Sequence, residues 1–322
     1  MAQKLGSIHV FEEAEITNQL PLTQEVVDHI REAFTAYSSG KASMPPVMQI
    51  NVTALSGQTC VKSAYIEGVP GFAVKVSSIF PQNPAGISPR NGLFILFNAK
   101  TGAVDTIFLD NGYLTQLRTA AAGAVSTDIL ARKDARRLCV VGAGLQAYMQ
   151  VQATCLVRPI DAIEIWARDE AKAKMLAEKL GKETGIHCQF NSNLASAVSN
   201  ADILLTTTSS RTPLVSIDMV KPGLHITAMG SDAPGKTELD PAIAEAATSY
   251  SCDSIAQCQM LGELQHTRSK IAATEIGDII TGDAVGRQSD KDITVADLTG
   301  IGTQDTYIAL YARALLSKEA VK

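Results

Sequence analysis

Two basic residues stand in segments whose patterns do not otherwise require a charge. Lys75 lies between Val74 and Val76 in an apolar strand pattern, so its side chain either faces solvent or is buried for a purpose. Arg118 lies in an alanine-rich helical segment, where a salt bridge at a domain joint would be a purely structural explanation. The guanidinium is planar and always charged, and it matches a carboxylate with two parallel hydrogen bonds. Arg118 is therefore a candidate anchor for a small carboxylate.

Asp232 is a candidate for acid–base or electrostatic work. It follows the strand pattern at 223–229 within a Gly-Ser-Asp turn, and aspartate is common in turns for structural reasons alone. Doubly wound proteins, however, bind ligands beyond the carboxyl ends of their sheet strands. A carboxylate there can stabilise an iminium cation or exchange a proton with a nascent amine.

A glycine-containing motif predicts a dinucleotide site. The apolar run 138–141 leads directly into Gly142-x-Gly144-x-x-Ala147, and a charge-poor helical segment follows. The first glycine permits a tight turn, the second lets a backbone approach a pyrophosphate, and Ala147 allows the helix to pack on the strand. The helix N-terminus then presents free N–H groups to the phosphates. An ordinary glycine-containing turn is the structural alternative.

The choice between NAD and NADP depends on the end of the second strand, 162–167. Arg168 there suits a 2′-phosphate, whereas Asp169 either accepts a ribose hydroxyl or simply caps the next helix. Charge favours NADP slightly, and both cofactors stay open. The fourth strand ends in three residues that we expect to line the nicotinamide site: Thr206, Thr207 and Thr208.

The composition excludes several functional classes. A chain of 322 residues with 46% hydrophobic and 19% charged residues fits a globular protein of two domains. The net charge of −5 gives no electrostatic footprint for nucleic acid or anionic membranes. Six scattered cysteines without a CxxC pair, and no secretory signal pattern, predict reduced thiols and a cytoplasmic location. The five histidines form no metal-ligand pattern, so no metal is expected.

The residues before position 125 predict a helix packed on a mostly antiparallel sheet. The helix covers 22–38 with Thr23 as its N-cap, and an alanine-rich helix at 114–132 joins the two domains. The tail 303–317 is an amphipathic helix that we expect to return to the first domain. The strand patterns of this part cover 47–52, 59–65, 71–79, 91–98 and 104–109.

From Arg137 onward, short apolar strands alternate with helices. That alternation predicts an α/β fold with a doubly wound parallel sheet, the Rossmann fold. The first predicted domain is α+β and discontinuous, 1–125 with 302–322, and the predicted Rossmann domain is 126–301. The predicted elements are strands 138–141, 162–167, 187–190, 202–208, 223–229 and 293–297, and helices 145–157, 169–184 and 195–198.

A set of segments follows one order along nearly the whole chain: Gly71-Phe-Ala-Val-Lys75-Val, Gly102 with Leu114-Thr-Gln-Leu-Arg118-Thr-Ala-Ala, Val141-Gly-Ala-Gly-Leu-Gln-Ala147, Met229-Gly-Ser-Asp232-Ala-Pro-Gly-Lys-Thr-Glu238-Leu, Gly286-Arg-Gln-Ser-Asp290 and Ile293-Thr-Val-Ala-Asp297-Leu-Thr-Gly300. Taken together, these segments resemble the ornithine cyclodeaminase/mu-crystallin family. Within that family, similarity is greatest to the ectoine-utilisation cyclodeaminases, with the iminosuccinate reductases as a second close branch; the segments that carry it are Leu109-Asp-Asn-Gly-Tyr-Leu114, Met229-Gly-Ser-Asp232 and Leu261-Gly-Glu-Leu.

The resemblance implies a role for each matching residue. Lys75 and Arg118 would bind the substrate carboxylate, and Asp232 would contact the substrate amine. NAD(P) would lie in the Rossmann domain. The first domain, 1–125 with 302–322, would be the substrate-binding and dimerisation domain, through which a homodimer forms. Besides the motif glycines and Ala147, the implied cofactor contacts are Gln146, Met229, Thr299 and Gly300.

Two departures from the family pattern bear on the substrate. Family members often carry an arginine near the segment Met44-Pro-Pro-Val-Met-Gln-Ile50, which here has no basic residue. Ornithine cyclodeaminases place a glutamate, which serves the distal amine, at the position matching Lys62. A lysine there would repel a second ammonium and attract a second carboxylate. A solvent-facing strand lysine is the structural alternative.

These residues predict an NAD(P)-dependent oxidoreductase that interconverts a small 2-imino acid and its L-amino acid, with iminosuccinate/aspartate as the specific expectation. Lys62, Lys75, Arg118 and Asp232 should then meet at the nicotinamide end of the cofactor. Two alternatives stay open at this stage. One is a cyclodeaminase of a diamino acid with catalytic NAD, and the other is a non-catalytic NADP-dependent binding protein of the mu-crystallin kind.

Overall fold

A computed structural model describes residues 8–319 of the chain. The described residues divide into two compact units, of which the second is Thr119–Gly300. The first unit contains the described residues up to Arg118 and those from Ile301 onward. The sequence-based domain boundaries, 125/126 and 301/302, stay a prediction.

The elements that position the candidate site follow in chain order. They are β1 (His9–Glu12), α1 (Glu13–Gln19), α2 (Gln24–Ser38), β2 (Ala42–Ser43), β3 (Met48–Val52), β4 (Gly57–Ile66), β5 (Gly71–Ile79), β6 (Arg90–Asn98), β7 (Val104–Leu109), α3 (Tyr113–Leu130), β8 (Arg137–Val141), α4 (Leu145–Val157), β9 (Ala162–Trp166), α5 (Glu170–Thr184), β10 (His187–Phe190), α6 (Leu194–Asn200), β11 (Ile203–Thr206), β12 (Arg211–Val215), β13 (His225–Ala228), β14 (Thr237–Leu239), α7 (Pro241–Ala246), β15 (Ser249–Cys252), α8 (Ile255–Leu261), β16 (Ala273–Glu275), α9 (Ile276–Thr281), β17 (Thr294–Asp297) and α10 (Gly302–Glu319).

The first unit is built on a seven-stranded sheet within the described residues. Its strand order is β1-β7-β6-β5-β4-β2, with β3 also paired to β4. The β1–β7 pair is parallel and the other pairs are antiparallel, in agreement with the mostly antiparallel sheet that the sequence predicts. Helix α2 begins at the predicted cap, because the Thr23 hydroxyl accepts the Val26 N–H. Its buried face includes Ile30 and Phe34.

The second unit contains an eight-stranded sheet in which every pair is parallel. In the order β10-β9-β8-β11-β13-β17-β15-β16, β9 and β10 lie on one side of β8, β11 and β13 lie on the other, and β17 returns between β13 and β15. This is the doubly wound Rossmann arrangement, so the predicted α/β fold class is confirmed. Apolar clusters on both faces of the sheet exclude water, as a fully covered parallel sheet requires.

Some elements escaped the sequence analysis because they lack a hydrophobic period. Strands β12, β14, β15 and β16 are short and rich in Ser, Thr or charged residues. Strand β11 also ends earlier than predicted, at Thr206, because the Thr208 amide donates to a side chain and leaves the ladder.

Candidate functional site

Lys75 and Arg118 share one buried carboxylate in the first unit. Lys75 on β5 is only 2% exposed, and its Nζ lies 2.9 and 2.8 Å from the two carboxylate oxygens of Asp305. The Nε of Arg118, on α3, lies 3.0 Å from Asp305 Oδ1, and its Nη1 donates to Gln304 Oε1 at 3.1 Å. Lys75 and Arg118, the two predicted carboxylate anchors, therefore lie together around one buried carboxylate and form one cationic group.

The start of α10 places Asp305 beside Lys75. A Cβ on Gly302 would lie 2.3 Å from the Ser63 carbonyl oxygen, so only a glycine lets the helix begin against β4. The Thr306 hydroxyl accepts the Ala73 N–H at 3.1 Å and donates to the Ala64 carbonyl at 2.9 Å. These contacts fix the first turn of α10 to the edges of β4 and β5. Sequence reasoning missed Asp305, since it read this segment only as an amphipathic helix.

Lys62 lies directly opposite Lys75 on the neighbouring strand, β4. The two lysines are register partners in the antiparallel pair of β4 and β5, so their side chains leave the sheet on the same face. On the other side of Lys75 the register partner is Phe94, whose ring centroid lies 6.0 Å from Nζ. Lys62 is half-buried, and its place in a substrate site stays a prediction.

The cations of this group outnumber its carboxylates. Burial, Arg118 and Lys62 lower the pKa of Lys75 to about 7, although Asp305 acts in the opposite direction. Burial alone would raise the pKa of Asp305, but Lys75 and Arg118 outweigh it and hold that pKa below its ordinary value. Burial raises the pKa of Asp110, the other nearby acid, to about 6. Three basic residues thus face two carboxyl groups, and an anionic ligand would relieve the excess positive charge.

The second unit contains the predicted dinucleotide turn. Gly142 ends β8 with φ +132°, and a Cβ there would lie 2.3 Å from Thr207 Oγ1, so both backbone and space require glycine. Gly144 is the N-cap of α4, without a side-chain cap, and a Cβ on it would meet open space. Gln146 lies in the first turn of α4, and Ala147 is fully buried against the sheet. A pyrophosphate fits this uncapped helix N-terminus beside an open glycine backbone.

One exposed basic residue, Arg168, follows the end of β9. Arg168 is exposed, whereas Asp169 is the N-cap of α5 and accepts the Lys172 N–H at 3.1 Å. Asp169 also forms an ion pair of 3.3 Å with the Lys172 ammonium. The Asp169 carboxylate is therefore engaged in capping, as its alternative reading predicted.

The predicted nicotinamide-side residues lie at the carboxyl ends of the central strands. Thr206 is buried at the end of β11, and the Thr207 N–H donates to the Val141 carbonyl at 2.9 Å. Thr208 follows, with its side chain half-buried. Met229 is buried just after β13, and its N–H donates to the Thr206 carbonyl at 3.1 Å.

Thr299 and Gly300 are held by Asp253. The two backbone N–H groups donate to Asp253 Oδ2 at 2.9 and 2.6 Å, respectively, and the Thr299 hydroxyl donates to Oδ1 at 3.0 Å. The Gln257 amide donates to the Gly300 carbonyl at 3.0 Å. This loop after β17 is therefore fixed by buried side chains that the sequence analysis did not single out.

Asp232 occupies the turn beyond β13 where the sequence analysis placed it. Its side chain is 43% exposed and its Oδ1 lies 2.5 Å from the Lys236 ammonium. The neighbouring Ser231 hydroxyl donates to the Lys236 carbonyl, which joins the two ends of the turn, and to the Leu261 carbonyl at the end of α8. An exposed, fixed carboxylate at a strand end can contact a cationic nitrogen of a ligand.

Buried histidine and cysteine residues have structural contacts. The ring of His225 bonds the hydroxyls of Thr294 and Thr227, and burial lowers its pKa to about 3. Potential metal-ligand atoms of Cys252, Cys258 and Asp297 lie within 4.8 Å of one another. Burial raises the pKa of Cys258 well above its ordinary value, which favours a neutral thiol donor over a metal-binding thiolate. The expectation of no metal stays a prediction.

Comparison with known proteins assigns the family. The family model described as ornithine cyclodeaminase/mu-crystallin matches residues 8–319. The chain belongs to this family. The resemblance inferred from the motifs is thereby confirmed, and the match covers all residues that the structure describes.

Relatives and solved structures of this family carry several different activities. A protein of Rhizobium meliloti (strain 1021) that is named only as a dehydrogenase is 44% identical, over 95% of this chain and 94% of its own. A protein of Sinorhizobium fredii (strain NBRC 101917 / NGR234) named as a cyclodeaminase is 42% identical, over 96% of each chain.

Two solved structures match the whole fold. An archaeal alanine dehydrogenase dimer with bound NAD has a TM-score of 0.89 at 31% identity and covers 97% of each chain. The iminosuccinate reductase of Paracoccus denitrificans in complex with NAD+ has a TM-score of 0.89 at 30% identity and covers 98% of each chain. Within residues 8–319, no helix is both long and apolar enough to cross a membrane.

Proposed function

We propose that the protein is an NAD(P)-dependent reductase/dehydrogenase that interconverts a small 2-imino acid and its L-amino acid, with iminosuccinate/aspartate as the substrate pair. The observation that carries the proposal is the cross-strand pair of Lys62 and Lys75 beside Arg118. Like charges directly opposite each other on neighbouring strands are unfavourable, and Asp305 supplies one carboxylate beside the two lysines and Arg118. A substrate with two carboxylates supplies the negative charge that this group favours, whereas a diamino acid brings a second cation.

Each candidate residue has a separate role in this proposal. Lys75 and Arg118 bind the α-carboxylate, and Lys62 favours a second carboxylate. Asp232 binds the cationic nitrogen and stabilises the charge of the protonated imine. When bound, the nicotinamide cofactor supplies or accepts the hydride at the substrate α-carbon.

The cofactor is NAD or NADP, held by the turn from Gly142 to Ala147. The Gly144 backbone and the N-terminus of α4 would bind the pyrophosphate, with Gln146 beside them. Support for NAD comes from solved relatives that contain it, among them the alanine dehydrogenase and the iminosuccinate reductase. Support for NADP comes from Arg168, since it is exposed at the ribose position while Asp169 is engaged with Lys172.

We further propose a homodimer that forms through the first unit. Four apolar residues, Val74, Ile95, Ile107 and Val10, form a row across four strands on the sheet face opposite to Lys75. Val10 is 53% exposed, and Tyr65 on the same face is 44% exposed, in agreement with a surface that a second copy covers. An Ile95→Asp variant should then be monomeric by light scattering, and a dimeric variant would refute this face as the interface.

A cytoplasmic location fits the cysteines. None of the six cysteines forms a disulfide within residues 8–319. Free thiols are typical of a reducing compartment.

A cyclodeaminase is the second candidate, because a relative with that name is 42% identical to this chain. Such an enzyme would release ammonia from a diamino acid with catalytic NAD and no net change in nicotinamide absorbance. The Lys62 ammonium argues against it, since it would repel the distal amine of ornithine. A non-catalytic binding protein would bind NADP without turning over any imino, keto or diamino acid.

An absorbance assay at 340 nm distinguishes these functions. Oxaloacetate with ammonia should consume NADH or NADPH steadily, and faster than pyruvate with ammonia. Ornithine or 2,4-diaminobutyrate with catalytic NAD should release no ammonia. Ammonia release from a diamino acid, without turnover of any 2-oxo acid, would establish the cyclodeaminase instead.

A further inference from the structure

A buried carboxylate bridges the ends of two central strands in the second unit. Glu238 on β14 is fully buried. Its Oε1 accepts the Thr208 N–H at 2.5 Å, and its Oε2 accepts the Gly230 N–H at 2.8 Å. Thr208 follows β11 and Gly230 follows β13, and these strands are neighbours at the middle of the parallel sheet. One side chain therefore fixes the separation of two strand ends.

The space around this bridge permits little change. A Cβ on Gly230 would lie 2.1 Å from the Thr208 carbonyl oxygen and 2.4 Å from the Glu238 carboxylate. The two segments thus approach each other as closely as backbones can, with the carboxylate against both. Because a buried backbone N–H without an acceptor is costly, loss of the carboxylate would let the segments separate.

Glu238 is itself held on both sides. Its own N–H donates to Glu263 Oε1 at 2.8 Å, and the hydroxyl of the preceding Thr237 donates to Glu263 Oε2 at 2.9 Å. The Thr237 N–H donates to the Ser210 carbonyl at 3.0 Å. Strand β14 is therefore held in place, and the Glu238 side chain holds the loops after β11 and β13 against it.

Both loops carry residues of the proposed site. Thr208 follows Thr207, whose hydroxyl lies against the Gly142 turn. Gly230 lies two residues before Asp232. In parallel α/β sheets the carboxyl ends of the strands are where ligands bind. The bridge therefore joins the segment expected at the nicotinamide to the segment that carries the nitrogen-binding carboxylate.

We infer that Glu238 is a positioning residue, which sets the distance between the nicotinamide-side segment Thr206–Thr208 and the Asp232 turn during hydride transfer. This inference rests on the proposed reductase function. Glu238 is fully buried and binds two backbone N–H groups, so we assign its effect on the reaction to backbone geometry. A misplacement of about 1 Å at reacting groups can reduce a rate about a hundredfold.

Glu238→Gln is the first test, since glutamine has nearly the same shape but only one acceptor oxygen. We expect kcat to fall about a hundredfold. The dissociation constant of NADH should stay within about threefold, since the Gly142–Ala147 turn keeps its own contacts. The deuterium isotope effect with NADH labelled at the transferred hydride should increase, because hydride transfer becomes more rate-limiting. A role in folding alone would lower the melting temperature without changing that isotope effect.

Two further variants separate geometry from charge and from general effects. Glu238→Asp keeps the charge but is one methylene shorter, so it cannot reach both amides and should be as slow as the glutamine variant. Glu164→Gln is the matched control in the same unit, since Glu164 accepts only the side-chain amides of Gln189 and Asn191. It should leave kcat unchanged. Full activity of Glu238→Asp would overturn the inference, because charge alone would then suffice.

Amide hydrogen exchange tests the bridge without any turnover. The Thr208 and Gly230 amides should exchange at least about tenfold faster in Glu238→Gln than in the wild type, while the amides of β8 keep their protection. Faster exchange with unchanged kcat and isotope effect would overturn the positioning role. Unchanged exchange would overturn the bridge itself. If the wild type turns over no imino acid, the proposed function fails, and the exchange result alone decides whether the bridge stands.

Discussion

Lys62 gives the sharpest test of substrate specificity, because a single side chain distinguishes a dicarboxylate from a monocarboxylate. Two substitutions change this side chain. Lys62→Met removes its charge, and Lys62→Glu reverses it. Lys62 is half-buried and is the register partner of Lys75, so its ammonium lies in a medium between water and protein interior. The affected quantity is the ratio of kcat/KM for the two kinds of imine.

The expected magnitude follows from Coulomb's law. At a separation of about 6 Å and an effective dielectric constant near 40, one pair of unit charges contributes about 1.4 kcal/mol. That free energy corresponds to about a tenfold change in rate. Lys62→Met should therefore lower the preference for the dicarboxylate about tenfold, and Lys62→Glu about a hundredfold, since the charge changes by two units.

The assay compares oxaloacetate plus ammonia with pyruvate plus ammonia at 340 nm, under the same salt concentration. Lys100→Glu is the matched control, because Lys100 is exposed in the turn after β6 and makes the same change in net charge. It should leave the ratio unchanged. If the ratio also stays within about threefold of the wild type for Lys62→Glu, Lys62 lies outside the site and the dicarboxylate proposal loses its main support.

Three other predictions concern protonation, the buried ion group and the glycine turn. Because the pKa of Lys75 is lowered to about 7, the cationic form that binds carboxylate exists below that pH and is lost above it. Thus kcat/KM should decline as pH rises through about 7. The Lys62→Met variant should shift this decline to higher pH. A flat pH profile of kcat/KM from pH 6 to 9 would refute the role of Lys75. Asp305→Asn leaves Lys75 and Arg118 without their shared carboxylate, so the free energy of unfolding should fall by about 3–5 kcal/mol in denaturant titrations, and an added dicarboxylate should restore part of it. No loss of stability would show that the ion group contributes nothing. Gly142→Ala places a Cβ against Thr207 at a φ of +132° and should lower the melting temperature, whereas Gly144→Ala adds a methyl in open space and should weaken NADH binding without affecting stability. Equal effects of the two alanines would contradict their assignment to packing and phosphate approach.

Local patterns were enough to predict the central Rossmann strands of the second unit, although they missed β12, β14, β15 and β16. The Rossmann strands are apolar runs with glycine turns between them, and both signals are contained within a few residues. The N-caps Thr23 and Asp169 could be predicted for the same reason, because the side chain of an N-cap bonds a backbone N–H within the next three residues. The strand containing Lys75 was predicted with the bounds that the structure gives, Gly71–Ile79.

Asp305 and Glu238, the buried acids that contact the candidate site residues, are distant from those residues in sequence. No local pattern therefore reveals these contacts. Lys75 and Asp305 are 230 positions apart, so neither hydrophobic period nor spacing could pair them. Glu238 is 30 positions from Thr208, and it lies on a strand of three residues that is too short for any period. Both acids belong to segments whose visible features, an amphipathic helix and a polar loop, predict exposure.

The two buried acids also explain why a family resemblance leaves the substrate open. Asp305 neutralises part of the positive charge of Lys75 and Arg118. The charge that is left on these two cations is enough to bind little more than one substrate carboxylate. Selection of a second anionic or cationic group must then come from a neighbour of this pair, and the sheet register leaves Lys62 and Phe94 as the residues beside Lys75. Phe94 carries no charge. Under the proposed function, a change at position 62 would therefore alter the preferred substrate class, while the Glu238 bridge and the glycine turn stay as they are.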